Sequence, residues 1–155
     1  MFRTLFLLFC VLGCAAACRC RERSSKEIFC GSDWGDRRSL CAALTASLSV
    51  GLFTVLDSDV SGAVLSYKVN VGQVFKTKNG APQQGQTIDL LTTSHSASCG
   101  VVGLQNGVQY LLVGSLNEEG RLHMGSCGQF RTIQWNTASP TIKNALLNGS
   151  YKPCV

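Results

Sequence analysis

Apolar residues along this chain change their spacing several times, and each change marks a different kind of element. Leu5–Gly13 is a short apolar run behind the basic start Met1-Phe2-Arg3-Thr4. Ala15-Ala16-Ala17 follows, a small-residue cleavage site, so residues 1–17 read as a signal peptide cut before Cys18. The run is shorter than the roughly 20 residues a membrane span needs. Further on, Leu48–Leu56 is almost continuously apolar and Ala63–Val71 alternates apolar with polar, with Val74-Phe75 as an extension. Both predict strands. Gln86–Thr92, Gln109–Ser115 and Arg121–Cys127 predict three more, and Gln129–Trp135 a sixth short extended piece. Asp57-Ser58-Asp59, Lys78–Pro82, Gln105-Asn106-Gly107 and Asn117–Gly120 supply turns, and His95–Gly100 reads as a loop. The last segment takes the helical period. Ser139 caps, Pro140 opens, Ile142, Ala145 and Leu146 share a face, and Asn148-Gly149 closes a helix over about residues 140–148.

Removing residues 1–17 leaves 138, enough for one domain with a core of its own. Five short strands and a terminal helix in that length predict a mainly β domain, an OB-type five-stranded barrel. A sandwich wants more strands. One stretch fits poorly: Gly35–Ser47 is rich in Ala and Leu and separates the cysteine-rich start from the first strand.

Charge adds little to that picture. The chain carries 14 Lys and Arg against 9 Asp and Glu, and the loss of Arg3 with the leader leaves a net of +4. Arg19, Arg21, Arg23 and Lys26 make a basic arm that reads either as a solvated surface or as a glycosaminoglycan-binding patch. Nucleic acid is not an expected partner, and no second long apolar segment supplies a membrane anchor. No Ser/His/Asp set or carboxylate pair stands out, so an enzyme is not expected. His95 lies in a polar loop and His123 alternates within a strand; neither is assigned a catalytic role.

The cysteines change the picture more. Nine are present, and Cys10 and Cys14 belong to the leader. The seven others, Cys18, Cys20, Cys30, Cys41, Cys99, Cys127 and Cys154, read as disulfide partners in a secreted, extracellular chain. Zinc-type spacing would need a second close pair beside Cys18-Arg19-Cys20, and none exists. Six cysteines admit about 15 pairings, among which spacing does not choose. Cys41 is the odd one, and it sits in the ill-fitting stretch. Either the insert is real, with Cys41 free or joining two chains as a dimer, or residues 35–47 are a mis-assigned coding segment.

Taken together, Cys18-Arg19-Cys20, Phe29-Cys30-Gly31-Ser32-Asp33 and Ser98-Cys99-Gly100-Val101 resemble the netrin-like domain of the tissue inhibitors of metalloproteinases. Tyr110–Gly114, Leu122-His123-Met124 before Cys127, and Trp135 before the terminal helix continue the likeness, which covers residues 18–154. It resembles single-domain forms found in nematodes and other invertebrates. The resemblance implies the OB-type barrel and the pairs Cys18–Cys99, Cys20–Cys127 and Cys30–Cys154. It also implies an inhibitor of zinc metalloproteinases with no cofactor of its own. The α-amine and carbonyl oxygen of Cys18 would bind the zinc of the target protease. Arg19, Cys20 and the loop Ser96-Ala97-Ser98-Cys99 would contact that protease.

Arg19 departs from the family pattern, which carries a small hydroxyl residue where the side chain enters the protease's specificity pocket. Burying a guanidinium in an apolar pocket costs several kcal/mol, which argues for narrowed or lost inhibition of matrix-type enzymes. The competing expectation is a non-inhibitory netrin-like module that binds a receptor, a matrix component or a host protein. Asn148-Gly149-Ser150 is a glycosylation sequon. The N-terminal arm is expected to have little core of its own and to unfold first on reduction.

Overall fold

The computed structural model describes residues 18–31, 48–77, 82–116, 119, 121–131 and 133–154. The leader, the stretch 35–47 with Cys41, and most of the turn clusters 78–82 and 117–120 lie outside the described residues. Chain order is α1 (Ser25–Cys30), β1 (Leu48–Ser61), β2 (Val64–Lys76), β3 (Thr87–Thr93), β4 (Gln109–Leu116), β5 (Leu122–His123) and α2 (Pro140–Leu147). The strands close into a barrel in the order β1-β2-β3-β5-β4. All neighbours run antiparallel except β3 and β5, which are parallel through Leu90↔Leu122. This is the mainly β, five-stranded barrel with a short C-terminal helix that the sequence predicts.

The continuous apolar runs have a simple cause. Side chains alternate across a strand, and in β1 and β4 both faces are covered. Phe53, Val55, Tyr110 and Leu112 point into the barrel, where they meet Tyr67, Val69, Val71 and Leu90. Their neighbours Val50, Leu52, Leu111 and Val113 point outward into a second core with Ile28, Phe29, Phe75, Phe130 and Leu146. The two helices therefore seal the outer face of β1 and β4. Phe53 pairs with Tyr110 on one side and Val71 on the other, so the barrel interior is stitched across three strands at one level. Register shifts in β1 at Gly51 and after Val55 bend the strand as barrel closure requires.

The structure corrects several expectations. Asp57-Ser58-Asp59 is not a turn. It continues β1 opposite Lys68, Tyr67 and Ser66 of β2, and the reversal comes at Gly62 and Ala63, with Gly62 at φ +59°. Beyond Val55 every residue of β1 is exposed, so its acidic side chains stay in solvent, while the opposite stretch of β2 remains in the barrel wall beside β3. The fifth strand is two residues long rather than spanning Arg121–Cys127. Leu122 and Met124 do alternate into the core, but residues 126–128 are drawn into a 3-10 turn by the Cys20–Cys127 disulfide. The sixth piece reduces to one bridge, Tyr110↔Gln134, before a 3-10 turn over Trp135–Thr137.

The N-terminal arm has little core of its own and is anchored through two residues to the second core of the domain. Ser24 and Glu27 form a reciprocal capping box, Gly31 ends the helix in the left-handed conformation, and Ile28 and Phe29 are buried. Lys76 of β2 reaches the end of this helix, its Nζ donating to Phe29 O at 2.9 Å and Cys30 O at 2.7 Å. The same ammonium lies 5.7 Å from the centre of the Phe29 ring. Burial holds the Lys76 pKa below its ordinary value. Ser139 caps α2 by accepting from Ile142 N.

Candidate functional site

One edge of the barrel gathers chemistry from three distant parts of the chain. Disulfides join Cys18 to Cys99 and Cys20 to Cys127, with Cα–Cα separations of 5.1 and 4.9 Å. A third joins Cys30 to Cys154. The first two bridges stack: Cys127 Sγ lies 3.4 Å from Cys18 Sγ and 3.7 Å from Cys99 Sγ. The sulfurs of Cys18, Cys20 and Cys127 fall within 4.8 Å of one another. All three are disulfide sulfurs, so they offer no thiolate to a metal.

The segment is also held by backbone. Cys18 N donates to Ala97 O at 3.1 Å, and Ser126 N donates to Cys99 O at 2.8 Å. Ser96–Ser98 form a 3-10 turn, closed by Ser98 N and Gly100 N, each donating to His95 O at 3.1 Å. Thr93 Oγ1 donates to Ser98 O at 3.0 Å. Cys99 itself adopts φ +61°, a left-handed conformation uncommon for a side-chain-bearing residue. Gly100 is required here: a Cβ at this position would come within 2.1 Å of Thr93 O and 2.8 Å of His95 O.

Exposure completes the geometry. Arg19, Cys20, Ser96, Ala97 and Ser98 are all exposed, while Cys18 and Cys99 are half-buried. The Cys18-Arg19-Cys20 segment and the 96–98 turn thus form one projecting ridge, backed by two disulfides.

A family model described as tissue inhibitor of metalloproteinase matches residues 16–154. The chain belongs to this family. A Caenorhabditis elegans protein named "Putative metalloproteinase inhibitor tag-225" is 28% identical over 130 residues, covering 81% of this chain and 75% of that protein. Tissue inhibitors of metalloproteinases are inhibitors, not enzymes, and are generally extracellular, in keeping with a disulfide-stapled domain.

Several supporting residues of this inhibitor-family ridge carried no signal in the sequence. Ser126 Oγ lies 3.6 Å from Cys18 Sγ. Gln129 clamps the 125–129 turn to β4: its Nε2 donates to Val113 O at 2.7 Å and Gly125 O at 3.1 Å, and its Oε1 accepts from Val113 N at 2.9 Å. Lys76 likewise carries no signal, whereas Gly100 lies in the Ser98-Cys99-Gly100-Val101 motif. Elsewhere, His95 is exposed in the 93–100 loop and His123 half-buried in β5. Asn148 is exposed at the end of α2, where its Oδ1 accepts from Ser150 N and Ser150 Oγ. Among the described residues, no helix is long and apolar enough to cross a membrane.

Proposed function

We propose that this chain is a secreted inhibitor of zinc metalloproteinases, and that after removal of residues 1–17 it grips the zinc of its target through Cys18 N and Cys18 O. The observation that carries the reading is the Cys18 N–H···O=C Ala97 hydrogen bond within a ridge fixed by two stacked disulfides. A neutral α-amine has two hydrogens and one lone pair. One hydrogen can keep the bond to Ala97 O while the lone pair faces a metal. An α-amine has a pKa of about 7.7–8, so it loses its proton at small cost near neutral pH. Catalytic zinc in proteases has three protein ligands and an open position, and accepts a fifth ligand readily. Nitrogen and oxygen of one residue make a five-membered chelate suited to that opening. The thiol of Cys18 does not compete, because Cys99 holds it.

Rigidity supports the same reading. A ridge already ordered by disulfides loses little conformational freedom on docking. The exposed Arg19 side chain sets selectivity. It favours a target pocket with an acidic or hydrated floor over a deep apolar one, where an unpaired guanidinium is costly.

The test is a mature protein extended by one alanine before Cys18, assayed on a panel of zinc metalloproteinases beside the unextended form. Acylation removes the amine lone pair, so inhibition is expected to disappear. Equal inhibition by both forms refutes the chelation. A mature protein that inhibits no enzyme of the panel favours the non-inhibitory binding module. Arg19→Thr is expected to strengthen inhibition of enzymes with apolar pockets; an unchanged inhibition constant means that the side chain stays outside the pocket.

A further inference from the structure

Four sulfurs behind the ridge form a closed circuit. Cys18–Cys99 and Cys20–Cys127 are the bonded sides. The other two sides are contacts, 3.7 Å from Cys127 Sγ to Cys99 Sγ and 3.9 Å from Cys18 Sγ to Cys20 Sγ. Cys127 Sγ also lies 3.4 Å from Cys18 Sγ across the circuit. The backbones of the two barrel turns are equally close, since Ser126 N donates to Cys99 O at 2.8 Å. Cys20 is exposed, while Cys18, Cys99 and Cys127 are half-buried. A groove of about 270 Å³ opens on the Cys20–Cys127 bridge, lined by Arg21, Arg23 and Arg131 with Glu22 opposing them. Cations beside a cysteine favour its thiolate, so the groove both admits a small thiol to Cys20 and equips Cys127 to leave.

We propose that this quartet is a redox switch in which one two-electron reduction unties both disulfides of the N-terminal arm and leaves a new bridge, Cys99–Cys127, on the barrel. A thiolate attacks Cys20 Sγ; a mixed disulfide forms, the Cys20–Cys127 bond breaks and Cys127 leaves as thiolate. A second thiol attacks the mixed disulfide; the small disulfide leaves oxidised and Cys20 takes a proton. Cys127, free to turn about its own side-chain bonds, attacks Cys99 Sγ. The Cys99–Cys127 bond forms, the Cys18–Cys99 bond breaks, and Cys18 departs as thiolate and takes the second proton. Two thiols thus become one small disulfide, and two protein bridges become one. The end state is favoured because Cys99 and Cys127 sit on turns already joined through Ser126 N, whereas Cys18 belongs to an arm with little core of its own. Holding reacting groups in contact raises their effective concentration. The arm then keeps its Cys18 N bond to Ala97 O but no disulfide behind it. The exchange rests on the sulfur geometry; only its effect on inhibition rests on the zinc-binding reading.

The experiment gives the mature chain one molar equivalent of dithiothreitol, which carries two electrons, then blocks free thiols with N-ethylmaleimide and maps labels and bridges by mass spectrometry after trypsin. Cleavage after Arg19, Arg21 and Arg121 places Cys18, Cys20, Cys99 and Cys127 on four separate peptides. The same dose given to the Cys30→Ala/Cys154→Ala protein removes the third bridge from competition. Label is expected at Cys18 and Cys20 in roughly tenfold excess over Cys99 and Cys127, which is a preference of about 1.4 kcal/mol, with Cys99 and Cys127 recovered as a linked pair. Survival of any other bridge of the quartet, or even labelling of all four cysteines, overturns the proposal. Inhibition is expected to fall in step with label at Cys18. A re-paired chain that still inhibits would count against the zinc-binding reading while upholding the exchange.

Discussion

Replacing Cys30 and Cys154 together by alanine removes the one bridge that takes no part in the sulfur stack at the ridge. The expected cost follows from loop closure. The bridge spans 124 residues in sequence, which in isolation corresponds to about 4.9 kcal/mol of chain entropy at 25 °C. It does not act in isolation. Cys20–Cys127 already joins the chain across the same region, so the shortest path still to be closed runs from Cys30 back to Cys20 and on from Cys127 to Cys154. That path is about 37 residues, worth about 3.8 kcal/mol. The double variant is therefore expected to lose about 4 kcal/mol in urea unfolding. That is a large part of the roughly 5–15 kcal/mol typical of a domain, yet it leaves the protein folded in water. The ridge keeps both of its own disulfides, so inhibition measured in buffer should be unchanged. A loss below about 1.5 kcal/mol would refute the loop-closure argument, and a matching loss of inhibition would refute the separation between this anchor and the ridge.

Gly100→Ala places a Cβ against Thr93 O and His95 O and must move the 95–99 turn. It is expected to cost about 1–3 kcal/mol and to weaken inhibition as well, because Ala97 O leaves Cys18 N; native stability with native inhibition would count against the role given to this turn. Lys76→Met keeps the aliphatic stem but strips the two carbonyls at the end of α1 of their donor. A loss of about 1–3 kcal/mol and faster amide exchange across residues 28–31 are expected. The capping box predicts a pH effect at Glu27, whose pKa is lowered chiefly by its hydrogen bond from Ser24 N. The unfolded chain then binds more protons than the folded one in the window below the ordinary value of 4.5. Stability is full above that value and falls as pH drops through the folded pKa. Glu27→Gln should flatten this part of the acid-unfolding curve, and an unchanged slope would exclude the cap as its source.

The hydrophobic pattern carried the barrel strands because alternation along a strand is a local property. Strands over residues 48–56, 63–71, 86–92 and 109–115 can be read from spacing, within a few residues of those observed, as can the capped helix over about 140–148. The capping signature Ser24-x-x-Glu27 was also present in the sequence, but α1 has only six residues, too few for a helical period to register. Asp57-Ser58-Asp59 misled because acidic residues favour turns on average, and here the strand leaves the core and continues in solvent. The short β5 was not legible either: its pattern is correct for a longer strand, and a disulfide to a distant cysteine cuts it off.

Amino-acid order alone thus determined the class of fold, the helix at the end and the presence of a cysteine-rich start, since each depends on neighbours a few positions apart. Tertiary structure decided what the chain can do with them. Which face of β1 meets which core, how Ala97 O comes to hold Cys18 N, and how Arg131 joins Arg21 and Arg23 all depend on contacts between segments about 20 to 110 residues apart. Such contacts are chosen by closure of the barrel and by the cross-links that become geometrically allowed once it has closed.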